Sequence, residues 1–401
     1  MMQVPFFRPS ISTAEIDEVV NCLRSGWLTT GPLTKRFEAA FAEAVGGKFA
    51  VAVNSCTAAL HLAVEALGLQ PGEGVLVPTE TFAATAEIVR YQGGIPILVD
   101  CDPVTLHLDL LDAERKIADL RAGRLPIKID PQTRLVGMIP VHVGGLMLDL
   151  DAVRKFAEQH QLWVVEDAAH SFPAAWRSSA AAPWQRCGEN SSAVACFSFY
   201  ANKTITTGEG GMAVTDDEAL ADRMRMMSLH GLSRDAWGRF AGGPWDYRIV
   251  APGFKYNLTD VAAAIGVHQL ARAETLRLER ERLALRYCAL FADQAEIQLP
   301  PFPTDRIHAW HLFPIQLQLE KLSLDRNAFI ERLKEQGVGC SVHYRPLHLH
   351  PYYQADFGWR PEQFPVATRL FERWLSLPFF PGLTEPEQDY VAAAVLRLCG
   401  R

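Results

Sequence analysis

The 401-residue sequence has no excess of basic residues, since 39 lysines and arginines face 46 aspartates and glutamates and the formal net charge is −7. This balance excludes a strongly basic nucleic-acid-binding protein, and we expect no nucleic-acid partner. The chain also lacks a run of about 20 apolar residues, the length that a bilayer crossing requires, so we expect no membrane segment. The N-terminal stretch MMQVPFFRPSIST has no basic region followed by an apolar one, and a secretory signal is not expected.

The eight cysteines lack the spacing of a metal site, because they lie far apart and form no CxxC pair. We interpret nearly all of them as small buried apolar residues. This usage is typical of a reducing compartment, and we expect a cytoplasmic protein. A hydrophobic fraction of 49% with 21% charged residues is ordinary for a globular enzyme with a sizeable core.

Between about residues 48 and 216, short apolar runs alternate with amphipathic stretches, which indicates strand–helix–strand units on a mostly parallel sheet. FAVAV, GVLVP, IPILVD and LWVVED are strand-like, whereas TAALHLAVEALGL and DLDAVRKFAEQH are helical. After Asn257, the 37 residues from LTDVAAAIG to RYCALFADQ predict one long helix. We therefore predict a large domain over residues 1–257, and a linking helix with a smaller C-terminal domain over residues 258–401.

The segment VNSCTAALHL leads from a strand into a helix that begins near Cys56 or Thr57. The start of a helix offers free backbone N–H groups and the positive end of the helix dipole, which suit a phosphate group. Asn, Ser and Thr before an apolar helix are also ordinary caps. Taken alone, the segment favours the cap.

The segment VVEDAAH brings Glu166, Asp167 and His170 to the carboxyl end of a strand, where open α/β sheets bind their ligands. Two interpretations have about equal weight. Either the acid is functional, or Asp167 caps the following segment and His170 is a partly buried, hydrogen-bonded histidine.

The segment FSFYANKTITTGEGG places Lys203 between an aromatic strand and a glycine-rich turn. Loss of solvent there lowers the pKa of the lysine and makes its neutral amine a nucleophile. A phosphate-binding P-loop is excluded, because no GxxxxGK precedes Thr204. A helix start for a phosphate, an acid at a strand end and a desolvated lysine are together three requirements of pyridoxal phosphate (PLP) chemistry.

At these residues the sequence resembles the DegT/DnrJ-type nucleotide-sugar aminotransferase family. The likeness covers nearly the whole chain and includes SGWLTTGPLTKRFEAAFAEAVG, TETFAATAEIVRYQGGIPILVDCD, FKYNLTDVAAAIGVHQL and GCSVHYRPLHLHPYY. With HGLSRDAW and IHAWHLF added, the sequence is most similar to the subgroup that makes 4-amino sugars. The resemblance implies the aspartate-aminotransferase-like α/β fold (PLP fold type I), with a large, mostly parallel, seven-stranded-type sheet sandwiched by helices and a smaller α+β domain.

The resemblance also implies roles for particular residues. Lys203 matches the lysine that holds the cofactor as a Schiff base, Asp167 the partner of its pyridine nitrogen, and Phe82 the aromatic residue stacked on its ring. His170 matches a position near the phenolic oxygen and the substrate. The other matched positions are the phosphate cup at Cys56, Thr57 and Ser198, the substrate side at Thr30, His230 and His343, and Asn257, which reaches the phosphate from the other subunit of a homodimer.

The implied activity is transfer of an amino group from glutamate to a nucleotide-linked keto-sugar, at carbon 4, in amino-sugar and polysaccharide biosynthesis. Lys203 argues against the family's dehydratases, in which histidine replaces this lysine. Two alternatives stay open: a PLP-dependent sugar dehydratase or lyase of the same fold, and a non-catalytic regulatory binding protein. Arg248 and Arg345 are candidates for binding the glutamate carboxylate.

The histidines near the C-terminus, His343, His348 and His350, carry the type of ligand that metals prefer. No carboxylate or thiolate at helical spacing completes a ligand set with them. We therefore expect a substrate-edge loop and no metal.

Overall fold

The computed structural model of the chain describes residues 2–189, 192–232 and 247–400. The part of HGLSRDAW from Ser233 onward lies outside these residues. The helices, numbered here along the described chain, are α1 (Thr13–Ser25), α2 (Pro32–Val45), α3 (Cys56–Ala66), α4 (Ala84–Tyr91), α5 (Leu110–Arg121), α6 (Leu150–His160), α7 (Glu218–Met227), α8 (Asp260–Ala271), α9 (Ala273–Leu290), α10 (Arg326–Glu335), α11 (Pro351–Phe357), α12 (Pro365–Phe371) and α13 (Glu385–Leu398). Short 3₁₀ turns are Val143–Gly145, Leu319–Lys321, Leu347–Leu349 and Pro361–Gln363.

The strands form one large sheet and two small ones. They are β1 (Phe49–Val53), β2 (Gly74–Pro78), β3 (Ile95–Val99), β4 (Leu135–Met138), β5 (Trp163–Asp167), β6 (Ala175–Trp176), β7 (Gln185–Arg186), β8 (Val194–Ser198), β9 (Gly211–Thr215), β10 (Ile297–Gln298), β11 (Arg306–Ile307), β12 (Pro314–Leu317) and β13 (Trp374–Ser376). The large sheet has seven strands in the order β1-β9-β8-β5-β4-β2-β3. Of these seven strands, β9 alone runs in the opposite direction, and the other six are parallel to one another. The predicted mostly parallel sheet is confirmed.

Helices cover both faces of the large sheet, so its strands are apolar on both sides. In β1, Val51 and Val53 pack into one apolar cluster with α3, while Ala50 and Ala52 pack into a second cluster with α2. The alternation follows from the period of two in a strand. Each face of the sheet is thus a buried layer, and the polar residues collect at the strand ends.

The C-terminal third of the chain contributes to two cores. The antiparallel sheet β10-β12-β13 packs with α9, α10 and α13 into a third apolar cluster that includes Phe313, Phe329 and Val391. Residues of α11 and α12, by contrast, join the cluster of the large sheet, through Tyr353, Phe357 and Leu370. The division of the chain at residue 257 stays a prediction.

The long helix predicted after Asn257 is two helices, α8 and α9, which meet at Arg272 with φ −104° and ψ 2°. The chain bends at the point where its side chains bond to residues within and just before α1. Gln269 donates to the Ser10 carbonyl at 2.7 Å and to Glu15 at 2.8 Å, and Arg272 bonds to the same carbonyl at 2.7 Å. These tertiary contacts have no signature in the helical pattern of the segment, which is why the sequence predicted one helix. No helix in the described residues has the length and apolar character to cross a membrane.

Candidate active site

A cavity of about 450 Å³ opens at the edge of the large sheet where the parallel strands β1, β5 and β8 end. This is the edge at which α/β sheets bind ligands. Its wall includes most of the residues that the sequence analysis singled out, namely Cys56, Thr57, Phe82, Asp167, His170, Ser198, Lys203 and His343. Residues from widely separated parts of the chain therefore meet in one cavity.

Lys203 follows β8 in a turn closed by its own N–H, which donates to the Tyr200 carbonyl at 3.0 Å. The aromatic strand before it is buried, with Phe197 and Phe199 fully inaccessible to solvent. Burial lowers the pKa of the Lys203 amine to about 8, although Cys56 and Asp167 act in the opposite direction. The lowered pKa increases the neutral fraction of the amine at neutral pH, which is the form that acts as a nucleophile and base.

Asp167 ends β5 and is 5% exposed. The Thr85 hydroxyl donates to its Oδ2 at 2.7 Å, and the Ala169 N–H donates to its Oδ1 at 3.2 Å. Burial raises the pKa of Asp167, while these two hydrogen bonds lower it. The bond from Ala169 is a local turn contact, and the side chain also borders the cavity, so the functional role of this acid stays a prediction.

Glu166, the residue before it, points away from the cavity to the other face of the strand. Its carboxylate lies 3.0 Å from Nε2 of His142 and accepts from Ser192, and both Glu166 and His142 are fully buried. Burial opposes protonation of His142, but Cys187 and Glu166 raise its pKa to about 10. The pair is a buried ion pair behind the site.

The three histidines of the C-terminal loop do not converge. His343 lies 3.0 Å from the Ser376 hydroxyl through Nδ1, whereas His348 bonds to Thr79 and Thr368 and is fully buried. His350 contacts the Arg345 carbonyl. In the described residues, the group whose atoms are spaced to hold a metal is His142, Glu166 and Cys187, within 4.8 Å of one another, and its members are hydrogen-bonded already.

The start of α3 forms a cradle of backbone donors. The Ser55 hydroxyl caps the Ala58 N–H at 3.1 Å, whereas the first N–H groups of the helix, at Cys56 and Thr57, have no acceptor within it. Gly211 keeps this cradle narrow: a Cβ there would lie 2.4 Å from the Ser55 carbonyl carbon and 2.6 Å from the Cys56 nitrogen. With the Ser198 hydroxyl on the same wall, these donors fit the phosphate of PLP.

The remaining wall also fits the cofactor. Phe82 is 59% exposed and borders the cavity, so its ring is accessible for stacking on a planar group. Asp167 supplies an acceptor for a pyridinium N–H, and Lys203 supplies an amine for the aldehyde. The chemistry of this set matches the three parts of PLP.

His170 is held between Gly144 and Tyr344. The Gly144 N–H donates to Nδ1 of His170 at 3.2 Å, and Nε2 lies 2.9 Å from the Tyr344 hydroxyl. Tyr344 in turn donates its backbone N–H to Glu80 at 2.8 Å. The Tyr344 side chain borders the cavity beside His343.

Three of the predicted residues lie elsewhere in the described chain. The Asn257 amide donates to the Thr30 hydroxyl at 2.7 Å, and that hydroxyl bonds to the Leu258 carbonyl. His230 is exposed in a turn with φ 57°. None of the three borders the cavity of its own subunit.

The two candidate arginines are also outside the cavity wall. Arg248 is exposed, and Arg345 is exposed with its guanidinium on the Leu349 carbonyl at 3.0 Å. Their proposed contact with a carboxylate stays a prediction.

Sequence reasoning missed four side chains of the site: His311, Tyr344, Thr85 and Glu80. His311 lies 3.3 Å from Nζ of Lys203. Each of the four falls within a segment on which the resemblance rested, namely IHAWHLF, SVHYRP or TETFAAT. Their position in these segments was the one feature of the sequence that could have marked them as site residues.

Comparison with known proteins identifies the family of the chain. The model of the DegT/DnrJ/EryC1/StrS aminotransferase family matches residues 9–396. The spore coat polysaccharide biosynthesis protein SpsC of Bacillus subtilis is 41% identical over 394 residues, which are 98% of this chain and 96% of SpsC.

Solved structures give the same result. Spr1654 of Streptococcus pneumoniae, assigned as a sugar aminotransferase, superposes in its PLP form with a TM-score of 0.87 at 30% identity, over 100% of this chain and 99% of that one. DesV of S. venezuelae, in complex with a ketimine intermediate, gives 0.86 at 31% identity over 100% of both chains. The chain belongs to the DegT/DnrJ/EryC1/StrS aminotransferase family and is a PLP-dependent sugar aminotransferase.

Proposed function

We propose that the enzyme transfers the amino group of glutamate to the 4-keto group of a sugar carried on a nucleoside diphosphate. The observation that carries this proposal is the meeting of Lys203, Asp167 and the start of α3 in one cavity. Bound PLP supplies an electron-accepting ring that stabilises negative charge at the carbon from which a proton is removed.

Each residue of the cavity then has a task. Lys203 holds the cofactor and, once released, its amine moves the proton as a general base and acid, with a pKa of about 8 suited to neutral pH. Asp167 keeps the pyridine nitrogen protonated. The phosphate is held by the N–H groups of Cys56 and Thr57 and by the Ser198 hydroxyl, and Phe82 stacks on the ring.

The substrate side of the site consists of histidines and hydroxyls. His170 and His343 border the cavity, and burial lowers the pKa of His343 to about 4, so it acts as a neutral hydrogen-bonding group. The name of the relative SpsC ties that protein to polysaccharide biosynthesis. We propose a similar setting for this enzyme, in the synthesis of an amino sugar for a glycan.

We further propose a homodimer with shared active sites. Asn257 and Thr30 bond to each other outside the cavity of their own subunit, and Lys255 bonds to Asn257. This position supports a role for both residues at the cofactor phosphate and substrate of a partner. The segment before them exposes apolar side chains, with Ile249 69% and Val250 55% exposed, as an interface would require. We keep His230 as a proposed substrate residue.

The eight cysteines are all unpaired thiols, and five of them are buried. Unpaired thiols are typical of proteins in reducing compartments. This supports a cytoplasmic location, where nucleotide sugars and glutamate are both at hand.

A panel of nucleotide-linked keto-sugars incubated with glutamate tests the proposal. We expect one product with the mass of an amino sugar and an equal amount of 2-oxoglutarate. A dehydratase or lyase of the same fold would convert the sugar without stoichiometric 2-oxoglutarate, and a binding protein would convert nothing. Either of those results would overturn the proposal.

A further inference from the structure

A second histidine, His311, touches the reactive lysine directly. Its Nε2 lies 3.3 Å from Nζ of Lys203, although the two residues are 108 positions apart in the chain. The imidazole is 3% exposed and packs at 4.4 Å, ring centre to ring centre, on His170. His311 thus lies directly behind two residues of the cavity wall, Lys203 and His170, and does not border the cavity itself.

The backbone around His311 is held from two sides. Its N–H donates to the Gly144 carbonyl at 3.0 Å, and the N–H of the same glycine donates to His170. From α9, the buried Arg280 donates through Nη1 to the carbonyls of Trp310 and His311, both at 3.2 Å. These contacts fix the backbone on both sides of the ring, while Nδ1 of the ring has no hydrogen-bond partner in the described residues.

The glycine pair at residues 144 and 145 is needed for this arrangement. Gly144 and Gly145 have φ values of 67° and 102°, in the region that favours glycine. A Cβ on Gly145 would lie 2.9 Å from the His170 carbonyl and 3.0 Å from the His311 nitrogen. The turn therefore brings both histidines close to one backbone.

The protonation of the pair follows from its surroundings. Burial, with Lys203 and His170 beside it, lowers the pKa of His311 well below its usual range, so the imidazole is neutral at neutral pH. A protonated amine has three N–H donors and no acceptor. The contact with a protonated Lys203 therefore requires a bare Nε2 on His311, with the ring hydrogen on Nδ1.

We propose that His311 is a positioning residue for Lys203, whose amine donates a hydrogen bond to Nε2 of His311 while it carries the proton taken from the amino donor. This inference rests on the proposed function. In that step the C–H bond at the α-carbon of glutamate breaks, its proton forms a third N–H bond on Nζ, and the electron pair stays with the conjugated cofactor. The positive charge that forms on Lys203 in a buried site is stabilised by the fixed acceptor.

Other groups around Lys203 do not replace this contact. Cys56 and Asp167 favour the charged amine through space, whereas Arg280 disfavours it. His311 itself faces His170, His343 and Arg280, none of which supplies a negative charge. Removing Nε2 consequently leaves the protonated amine with weaker support.

The test uses three variants. His311→Leu removes the acceptor and keeps an apolar volume, and His311→Gln restores an amide near the position of Nε2. His308→Leu is the matched control, because His308 is buried in the same segment and stacks on Trp310 at 3.9 Å, so it reports disturbance of the segment.

Two quantities are measured. The first is the pH midpoint at which cofactor-free protein reacts with added PLP, followed by borohydride fixation on Lys203; it does not depend on turnover. The second is the single-turnover rate of proton removal from α-deuterated glutamate, together with the KM for glutamate.

We expect His311→Leu to lower the pH midpoint by about one unit, because a hydrogen bond to a charged group is lost. We expect proton removal to slow by about 10- to 100-fold, with the KM changed less than about twofold. His311→Gln should recover most of both effects, and His308→Leu should show neither.

An unchanged midpoint and rate in His311→Leu would overturn the inference, as would equal losses in His308→Leu. A failure of the proposed function looks different: wild-type protein would then still fix PLP on Lys203, with a pH midpoint that His311→Leu lowers, but would not remove the α-hydrogen of glutamate.

Discussion

The hydroxyl of Tyr344 receives a hydrogen bond from His170. The Gly144 N–H occupies Nδ1 of His170, and burial lowers the pKa of this imidazole well below its usual range, so its single ring hydrogen lies on Nε2, 2.9 Å from the tyrosine oxygen. The hydroxyl hydrogen of Tyr344 must then point elsewhere. Since this side chain borders the cavity, we expect the hydroxyl to donate to a bound substrate.

Removing that donor tests the orientation. We expect Tyr344→Phe to bind PLP normally and to lose about 5- to 10-fold in kcat/KM for the keto-sugar, the value of one neutral hydrogen bond. Steady-state kinetics with the sugar substrate provide the measurement. Tyr353→Phe is the control, because its buried hydroxyl has no hydrogen-bond partner in the described chain and lies outside the cavity wall. Equal kinetics for Tyr344→Phe and wild type would contradict the donor role.

Asp167 is expected to act on the cofactor ring. Asp167→Asn keeps the shape and the bond from the Thr85 hydroxyl. We expect the variant to fold and to retain cofactor, but to remove the α-proton of glutamate about 100- to 1,000-fold more slowly, since the charge that supports the protonated ring is gone. Stopped-flow absorbance with excess glutamate follows this step, and a rate like that of wild type would show that the acid has no such role.

Glu80 gives a prediction about stability and pH. The side chain is 1% exposed, its Oε1 accepts the Tyr344 N–H, and its Oε2 has no partner in the described residues. Burial raises the pKa of Glu80 well above its usual range. The folded state then holds this proton more tightly than the unfolded state, so the contribution of Glu80 to the free energy of unfolding falls as the pH rises above about 4.3.

Glu80→Gln cannot ionise and keeps an acceptor for Tyr344. Its gain in free energy of unfolding over wild type should grow from pH 4 to pH 8, by about 1.4 kcal/mol for each unit by which the pKa is raised. Urea unfolding at a series of pH values measures this difference. A difference that is constant or shrinks with rising pH would mean that Glu80 is already ionised in the folded protein.

Shared active sites are testable by mixing two variants. Lys203→Ala and Asn257→Ala should each have little activity alone, the first for lack of the amine and the second for lack of the partner's contact to the phosphate. After unfolding and refolding together, mixed dimers have one intact site, and about one quarter of the wild-type activity should return. If no activity returns while dimers form, Asn257 serves its own subunit or none.

The sequence predicted those parts of the site that depend on short-range pattern. Asp167 at the end of a buried strand, Lys203 after an aromatic one and the helix start at Cys56 are each set by neighbours within a few residues, and all three lie in the cavity. Contacts between distant segments were not predictable in this way. Tyr344 is 174 residues from His170. The break between α8 and α9 lies at Arg272, which bonds to the carbonyl of Ser10, just before α1.

The most direct test of the central claim separates the two half-reactions. Purified enzyme loaded with PLP is treated with ¹⁵N-glutamate alone, freed of small molecules, and then given the nucleotide-linked keto-sugar, with Lys203→Ala treated in parallel. We predict that wild type releases one equivalent of 2-oxoglutarate per site in the first stage and a ¹⁵N-labelled amino sugar in the second, whereas the folded Lys203→Ala protein sustains no turnover. A sugar product without ¹⁵N, or repeated turnover by Lys203→Ala, would contradict the account.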